Sequence, residues 1–400
     1  MKRLIMHLKF FIGAGLLKFY FLFVIFIITS CSTTTSLTYK NLQWDGSSSA
    51  RIVPWQKMDI KADIALLKYA LDKAYVGSDF INNETWSTFS EKIDLAKNMK
   101  FEDNVEFCKY LGRQFLELPD GHFDIWFPGH SCYLPNKSKP NVGSNYGYKL
   151  KKEIFVFKEF SSKKAALLSI KRFPHHEDKK WNGFTESLSN LKKSNNIIID
   201  LRGNGGGDSR RGLELARSLV NSTIEHNRKK IIRKNTPESW TIFRNGVLRS
   251  RIWKQSQKLP VQHLDDYIKS IDEDREISLS SSEKFLIYEH KKPSLTKLNF
   301  NGNIYVIIDR KCGSSCEHTL EALKFHPNTK SIGQNTSGAI HYGQMGVIRL
   351  PSSGIYLKLA TQYFELFDDG FYEKTGYSPD ISVPAGSDAL SFLLDNIIKE

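Results

Sequence analysis

The chain has 400 residues, 40% hydrophobic and 25% charged, with a formal charge of +14 from 57 Lys and Arg against 43 Asp and Glu. That length suffices for one large domain or two ordinary ones. The positive charge is spread along the chain. Its densest run, HNRKKIIRK at 226–234, has no interleaved aromatic residues, which argues for a solvated surface and against a nucleic-acid partner.

Residues 1–30 begin with basic residues and run into an apolar stretch from Phe19 to Ile28, short for a membrane span and flanked like a signal peptide. Ile28-Thr29-Ser30-Cys31 resembles a bacterial lipobox. The resemblance implies cleavage before Cys31 and acylation of its thiol, hence a lipid-anchored protein of the bacterial cell envelope. The other reading is an uncleaved single-pass anchor. Residues 1–30 carry four basic residues and no acids, so their removal takes the charge from +14 to +10. Residues 31–52 then form a polar tether. Cys108, Cys132, Cys312 and Cys316 remain, and three pairings are open to them in an oxidising compartment. No CxxC occurs, so no zinc site is expected.

Residues 53–120 read as a small helical domain. Ile64, Leu67, Ala70, Leu71 and Ala74 recur at helical spacing, as do Val105, Cys108, Leu111, Phe115 and Leu116. Cys108 reads there as a small core residue. PDGHF stops the helices, and residues 121–150 form a connecting loop. Strands follow in GYKLKKEIFVFKEF and KAALLSIKRF. A short helix carries Phe184, Leu188 and Leu191. NIIIDLRGNGGGDSRRGLELARSLV reads as strand, glycine turn and helix, with Asp208 as N-cap and Leu213, Ala216 and Leu219 or Val220 on the inner face. Residues 224–298 look like a polar insertion with strands and at least one helix. NIYVIID, CEHTLEALKF and KSIGQN repeat the strand–helix–strand pattern, followed by strands in GVIRLP and GIYLKLATQYFEL and a closing helix. The order is a helical front followed by an α/β core at 151–400.

Two motifs can carry chemistry. In DLRGNGGG (200–207), the glycines let backbone N–H groups approach a ligand near a helix start, where they can hold an anion or a developing oxyanion. The motif lacks the features of a dinucleotide fingerprint or a P-loop, and the plain alternative is a tight turn. In DRKCGSSCEH, Ser314 stands between a strand and a helix whose inner face is Cys316, Leu320 and Leu323. Its hydroxyl lies in the positive end of the helix field. Glu317, three residues on, can cap the helix start, and Ser314 alone is an ordinary N-cap.

NIIIDLRGNGGG, then Ser-x-x-Glu after an apolar strand, then IGQNTSG, then GYSPDISV resemble the tail-specific (C-terminal processing) serine peptidases, over residues 150–390. The resemblance implies a crotonase/ClpP-like core of repeated strand–helix units. It also implies Ser314 as nucleophile, an oxyanion hole from the Ser315 amide with Gly205 or Gly206, a protein or peptide substrate, and no metal or cofactor. Ala339 occupies the place of the family's activating lysine. ELPDGHFDIW resembles the motif of the tricorn-like branch, in which a histidine replaces that lysine. This implies His122 as general base and Glu373, three residues before Gly376, as the group that orients it. Gly121 stands where the archaeal tricorn protease has a serine. The span between His122 and the first core strand is too short for a PDZ domain. His341, in the loop of the missing lysine, is the alternative base. His318 reads as a cap or surface residue, and Lys311 points off the strand end. Two other functions compete: a catalytically inactive peptidase fold that binds peptides or another ligand, and a serine esterase or amidase.

Overall fold

The computed structural model describes residues 36–47, 51–132, 153–175, 179–295, 297–384 and 386–398. The signal segment and Cys31 lie outside the described residues, as do residues 32–35 and 48–50 of the tether and residues 133–150 of the connecting loop. Among the described residues no helix is long and apolar enough to cross a membrane.

Three capped helices come first: α1 (Ile60–Lys73), α2 (Asn83–Leu95) and α3 (Asn104–Phe115). Asp59, Asn82 and Asp103 each accept an N–H from the first turn that follows, as N-cap chemistry requires. All five expected residues of the first stripe are buried. On α3 the buried stripe is Asn104, Phe107, Cys108, Leu111 and Phe115. Cys108, Leu111 and Phe115 are the expected ones; Val105 is only half-buried and Leu116, just past the helix end at Phe115, is exposed. Cys108 is buried but is no free thiol. It is bonded to Cys132, 24 residues on, with Cα atoms 5.2 Å apart. This bridge ties α3 to the end of the hairpin β1 (Asp124–Phe127) and β2 (His130–Ser131), so the chain just after His122 is fastened to the helical front.

The elements that follow are β3 (Phe155–Phe160), β4 (Ala165–Ile170), α4 (Phe184–Leu191), β5 (Asn196–Asp200), α5 (Ser209–Leu219), β6 (Lys230–Lys234), α6 (Pro237–Ser256), α7 (Gln262–Ser280) and β7 (Phe285–Glu289). Then come β8 (Asn303–Ile308), α8 (Ser315–Leu323), β9 (Thr329–Gly333), β10 (Tyr342–Arg349), β11 (Tyr356–Glu365), β12 (Ile381–Ser382) and α9 (Ala389–Asn396). One sheet has the order β12-β9-β8-β5-β4-β3. It is parallel except for the β3–β4 pair. Its inner strands are apolar on both faces, as a covered parallel sheet demands. Ile197, Ile199, Val306 and Ile308 pack with α4, α5 and α8 on one face. Ile198, Tyr305 and Ile307 pack with α9 on the other. On α5 the inner residues are Leu215, Ala216 and Leu219, with Leu213 half-buried.

The second sheet is antiparallel, β2-β1-β11-β6-β7, with β10 also on β11. Residues 224–298, where strands and at least one helix were expected, supply two of its strands, β6 and β7, and the helices α6 and α7 between them. The basic run there is solvated only in part, with the Lys229 side chain 44% exposed. Arg233 and Lys234 are 4% and 1% exposed. The Arg233 guanidinium lies 3.7 Å from the Trp240 ring centroid and 4.5 Å from that of Phe243, a cation–π arrangement. The Lys234 ammonium donates to Asp72 O (2.8 Å), Tyr75 O (3.0 Å) and Ser78 Oγ (2.9 Å), and pairs with Asp79 at 2.8 Å. A cation at the C-terminal carbonyls of α1 is favoured by the helix dipole. Residues 39–400 thus form one compact unit.

Replacing Cys108 and Cys132 together by alanine is expected to cost about 3 kcal/mol of stability by the chain-entropy estimate for a loop of this length. Urea unfolding of the oxidised protein and the double variant measures it, and equal midpoints would contradict the anchoring role.

Candidate active site

The turn between β8 and α8 is built around Ser314. This residue has φ +57° and ψ −122°, in a region that costs a non-glycine residue about 1–3 kcal/mol. Three restraints impose it. Cys312 and Cys316 are joined across the turn with Cα atoms 5.3 Å apart, which settles the pairing that the sequence left open. The Gly313 N–H donates to Asn204 O at 3.2 Å. The Ser314 N–H donates to Glu317 Oε2 at 3.0 Å. The capping contact expected of Glu317 is present, but its carboxylate does more. Fully buried, it also accepts from Thr336 Oγ1 (2.6 Å), Gly338 N (2.7 Å) and Ala339 N (2.8 Å). Burial pushes its pKa above the usual carboxylate range, against the pull of these donors.

The glycine turn meets the serine turn directly. A β-carbon on Gly206, which has φ +94°, would lie 2.8 Å from Gly313 O, 2.9 Å from Ser315 N and 3.0 Å from Ser314 Cβ, so only glycine fits. Ser315 Oγ donates to Gly207 O at 2.7 Å. The Gly206 N–H is already committed to Asn204 Oδ1 at 2.8 Å. Gly205 N and Ser315 N have no acceptor among the described residues. Asn204, buried and donating to Ile170 O at 3.1 Å, was not singled out in the sequence, because its importance comes from a strand distant in the chain.

His122 stands in a second cluster. A His122 ring nitrogen and carboxylate oxygens of Asp120 and Glu373 all lie within 4.8 Å of one another. The Asp120 carboxylate accepts His122 N (2.7 Å) and Tyr75 OH (3.1 Å). Glu373 accepts Gly121 N (2.7 Å), Ile340 N (3.0 Å) and His341 N (2.8 Å). Every oxygen of the two carboxylates thus takes an N–H or O–H, which describes a proton-handling group better than a metal cradle. Burial raises the pKa of both acids, and for Glu373 repulsion from Asp120 adds to it. Asp120 was missed in the sequence, where its only signal was the Asp-Gly turn pair.

The two clusters meet at the 338–339 loop. A β-carbon on Gly121 would lie 2.7 Å from Gly338 O and 3.3 Å from Ala339 Cβ. The turn bearing His122 therefore rests on the Gly338–Ala339 loop, and a serine at 121 would overlap that loop. Glu317 holds the same loop from the other side.

The other two histidines near the site are buried. His341 is buried, with Nδ1 2.9 Å from Phe364 O and Nε2 accepting from Tyr372 N at 3.0 Å. Both nitrogens are occupied and burial lowers its pKa, which argues against a role as base. His318 is neither cap nor surface residue. It is 4% exposed beside Arg228, and burial holds its pKa well below the usual range. Lys311 is exposed, as expected.

Residues 164–383 match peptidase family S41. The chain belongs to this family. Among solved structures it is similar to a candidate peptidase from Parabacteroides merdae, at 13% identity over 83% of this chain and 92% of that one, with a TM-score of 0.54. It also matches the photosystem II D1 C-terminal processing protease, at 16% identity over 62% of this chain and 53% of that one, TM-score 0.36. A lipoprotein from Streptococcus agalactiae matches at 15% identity over 82% and 92%, TM-score 0.43. No curated protein matches. As an S41 member the chain has a mixed α/β fold with a serine-peptidase type of function, and family membership covers both motif regions from the glycine turn to Glu373.

Glu317→Ala removes the acceptor of four donors and is expected to cost at least about 3 kcal/mol, with Glu317→Gln in between, measured by denaturant unfolding. Gly121→Ser is expected to destabilise by about 1–3 kcal/mol through overlap with Gly338 and to lower activity; a gain of activity would contradict this packing.

Proposed function

We propose that this S41 member is a serine endopeptidase with a crotonase/ClpP-like core, acting through Ser314 with His122 as general base. The observation that carries the reading is the Ser314 turn. A serine held at positive φ, at the start of a buried helix and against a glycine turn with a free amide, has the form of an exposed nucleophile. His122, on the turn packed over the missing lysine's position, takes the Ser314 hydroxyl proton as Oγ attacks the peptide carbonyl, and returns it to the leaving amine. Glu373 holds the turn of His122 through the Gly121 amide. The Gly205 and Ser315 amides, with the helix field behind them, stabilise the oxyanion. The lipobox-like Cys31 supports attachment to a membrane of the bacterial cell envelope by lipid, with the catalytic unit exported. An oxidising compartment agrees with two disulfides among the described residues.

Ser314→Ala and His122→Ala are each expected to lower kcat/KM on a peptide substrate by about a thousandfold or more, with unchanged unfolding midpoints. A fluorophosphonate should label the wild type at Ser314 and label His122→Ala far more slowly. Wild-type turnover in either variant would sink the mechanism. Absence of labelling in a folded wild type would instead favour a ligand-binding protein, and turnover of esters but not peptides an esterase.

A further inference from the structure

Asp120 and Glu373 are buried side by side, 2% and 3% exposed. Two carboxylates so close and so dry cannot both ionise at modest cost. Most of the groups around them are neutral. Tyr75 and Tyr342 face Asp120, and Tyr363 faces Glu373; burial keeps all three phenols protonated. His341, on the far side of Glu373, and His318, which senses both His122 and His341, are held neutral by burial. The cations that bear on Asp120 are Lys374 and Lys358. The Lys374 ammonium donates to Leu116 O at 2.5 Å, and burial lowers the pKa of Lys358. His122 lies beside both carboxylates.

We propose that Asp120 is a positioning residue: Asp120 and Glu373 share one proton, and this carboxyl–carboxylate pair holds the His122 ring with a single negative charge. The inference rests on the reading of His122 as the base. In the attack step the Ser314 O–H bond breaks, an N–H bond forms on His122, and the imidazolium faces the pair, whose proton stays in place. The shared proton belongs to the pair and not to either residue. Glu373 alone, held by three backbone amides, fixes the turn; the pair sets the orientation and charge of the ring.

The test has two arms, both on the full chain. Carbon-13 carboxyl NMR of the Ser314→Ala protein should show a carboxyl still protonated at neutral pH that disappears in both Asp120→Asn and Glu373→Gln, because each substitution frees the survivor to ionise. Two ionised carboxylates in the parent, or a protonated signal that persists in one of the variants, overturns the pair. With Ser314 restored, Asp120→Asn should lower kcat about a hundredfold, as a misplaced catalytic group does, leave KM nearly unchanged and move the pH limb of kcat. A wild-type kcat and pH profile overturns the positioning role. A parent that hydrolyses nothing defeats the peptidase reading, while the NMR arm still decides the pair.

Discussion

The buried carboxylate of Glu317 is the constraint on which the rest of the site depends. A charge taken from water costs several kcal/mol unless donors surround it. Here the donors come from two places at once: the amide of Ser314 at the start of its own helix, and Thr336, Gly338 and Ala339 from the loop after β9. The helix N-terminus favours the same charge. Satisfying one side chain therefore folds the 336–339 loop over the serine turn. Once there, the loop presents Gly338 O and Ala339 to Gly121, and the His122 turn has its seat.

The same device recurs. Glu373 and Asp120 are also buried, and they too are held mainly by backbone amides or by a tyrosine hydroxyl instead of by lysine or arginine. The buried cations serve the scaffold. Lys234 closes the end of α1, and Arg202 pairs with Asp200 and Asp388, each at 2.7 Å. Loops joined by carboxylate-to-amide bonds are set by the fold itself.

Much of the core was legible in the chain. The parallel strands announce themselves as apolar runs between turns, and β5, β8 and α8 lie where the periodicity puts them. The antiparallel sheet was harder. β6 and β7 lie in a segment of mixed polarity, because Arg233 and Lys234 are buried by stacking and by helix carbonyls that no local pattern reveals. On α3 the middle of the expected stripe held and its ends did not, because Phe107, and not Val105, is buried and the helix stops before Leu116.

By itself the sequence determined the α/β core and the two turns that bear chemistry, since strand periodicity, glycine and capping residues act over a few positions. It also marked Ser314 and His122 as the residues to examine. Only the tertiary structure decided which cysteines pair, that the Gly206 amide is already spent on Asn204, that His341 is locked by two backbone groups, and that Asp120 stands beside Glu373. The reason is physical: those facts depend on contacts between segments up to about 250 residues apart, where burial and hydrogen-bond satisfaction select partners that chain spacing cannot encode.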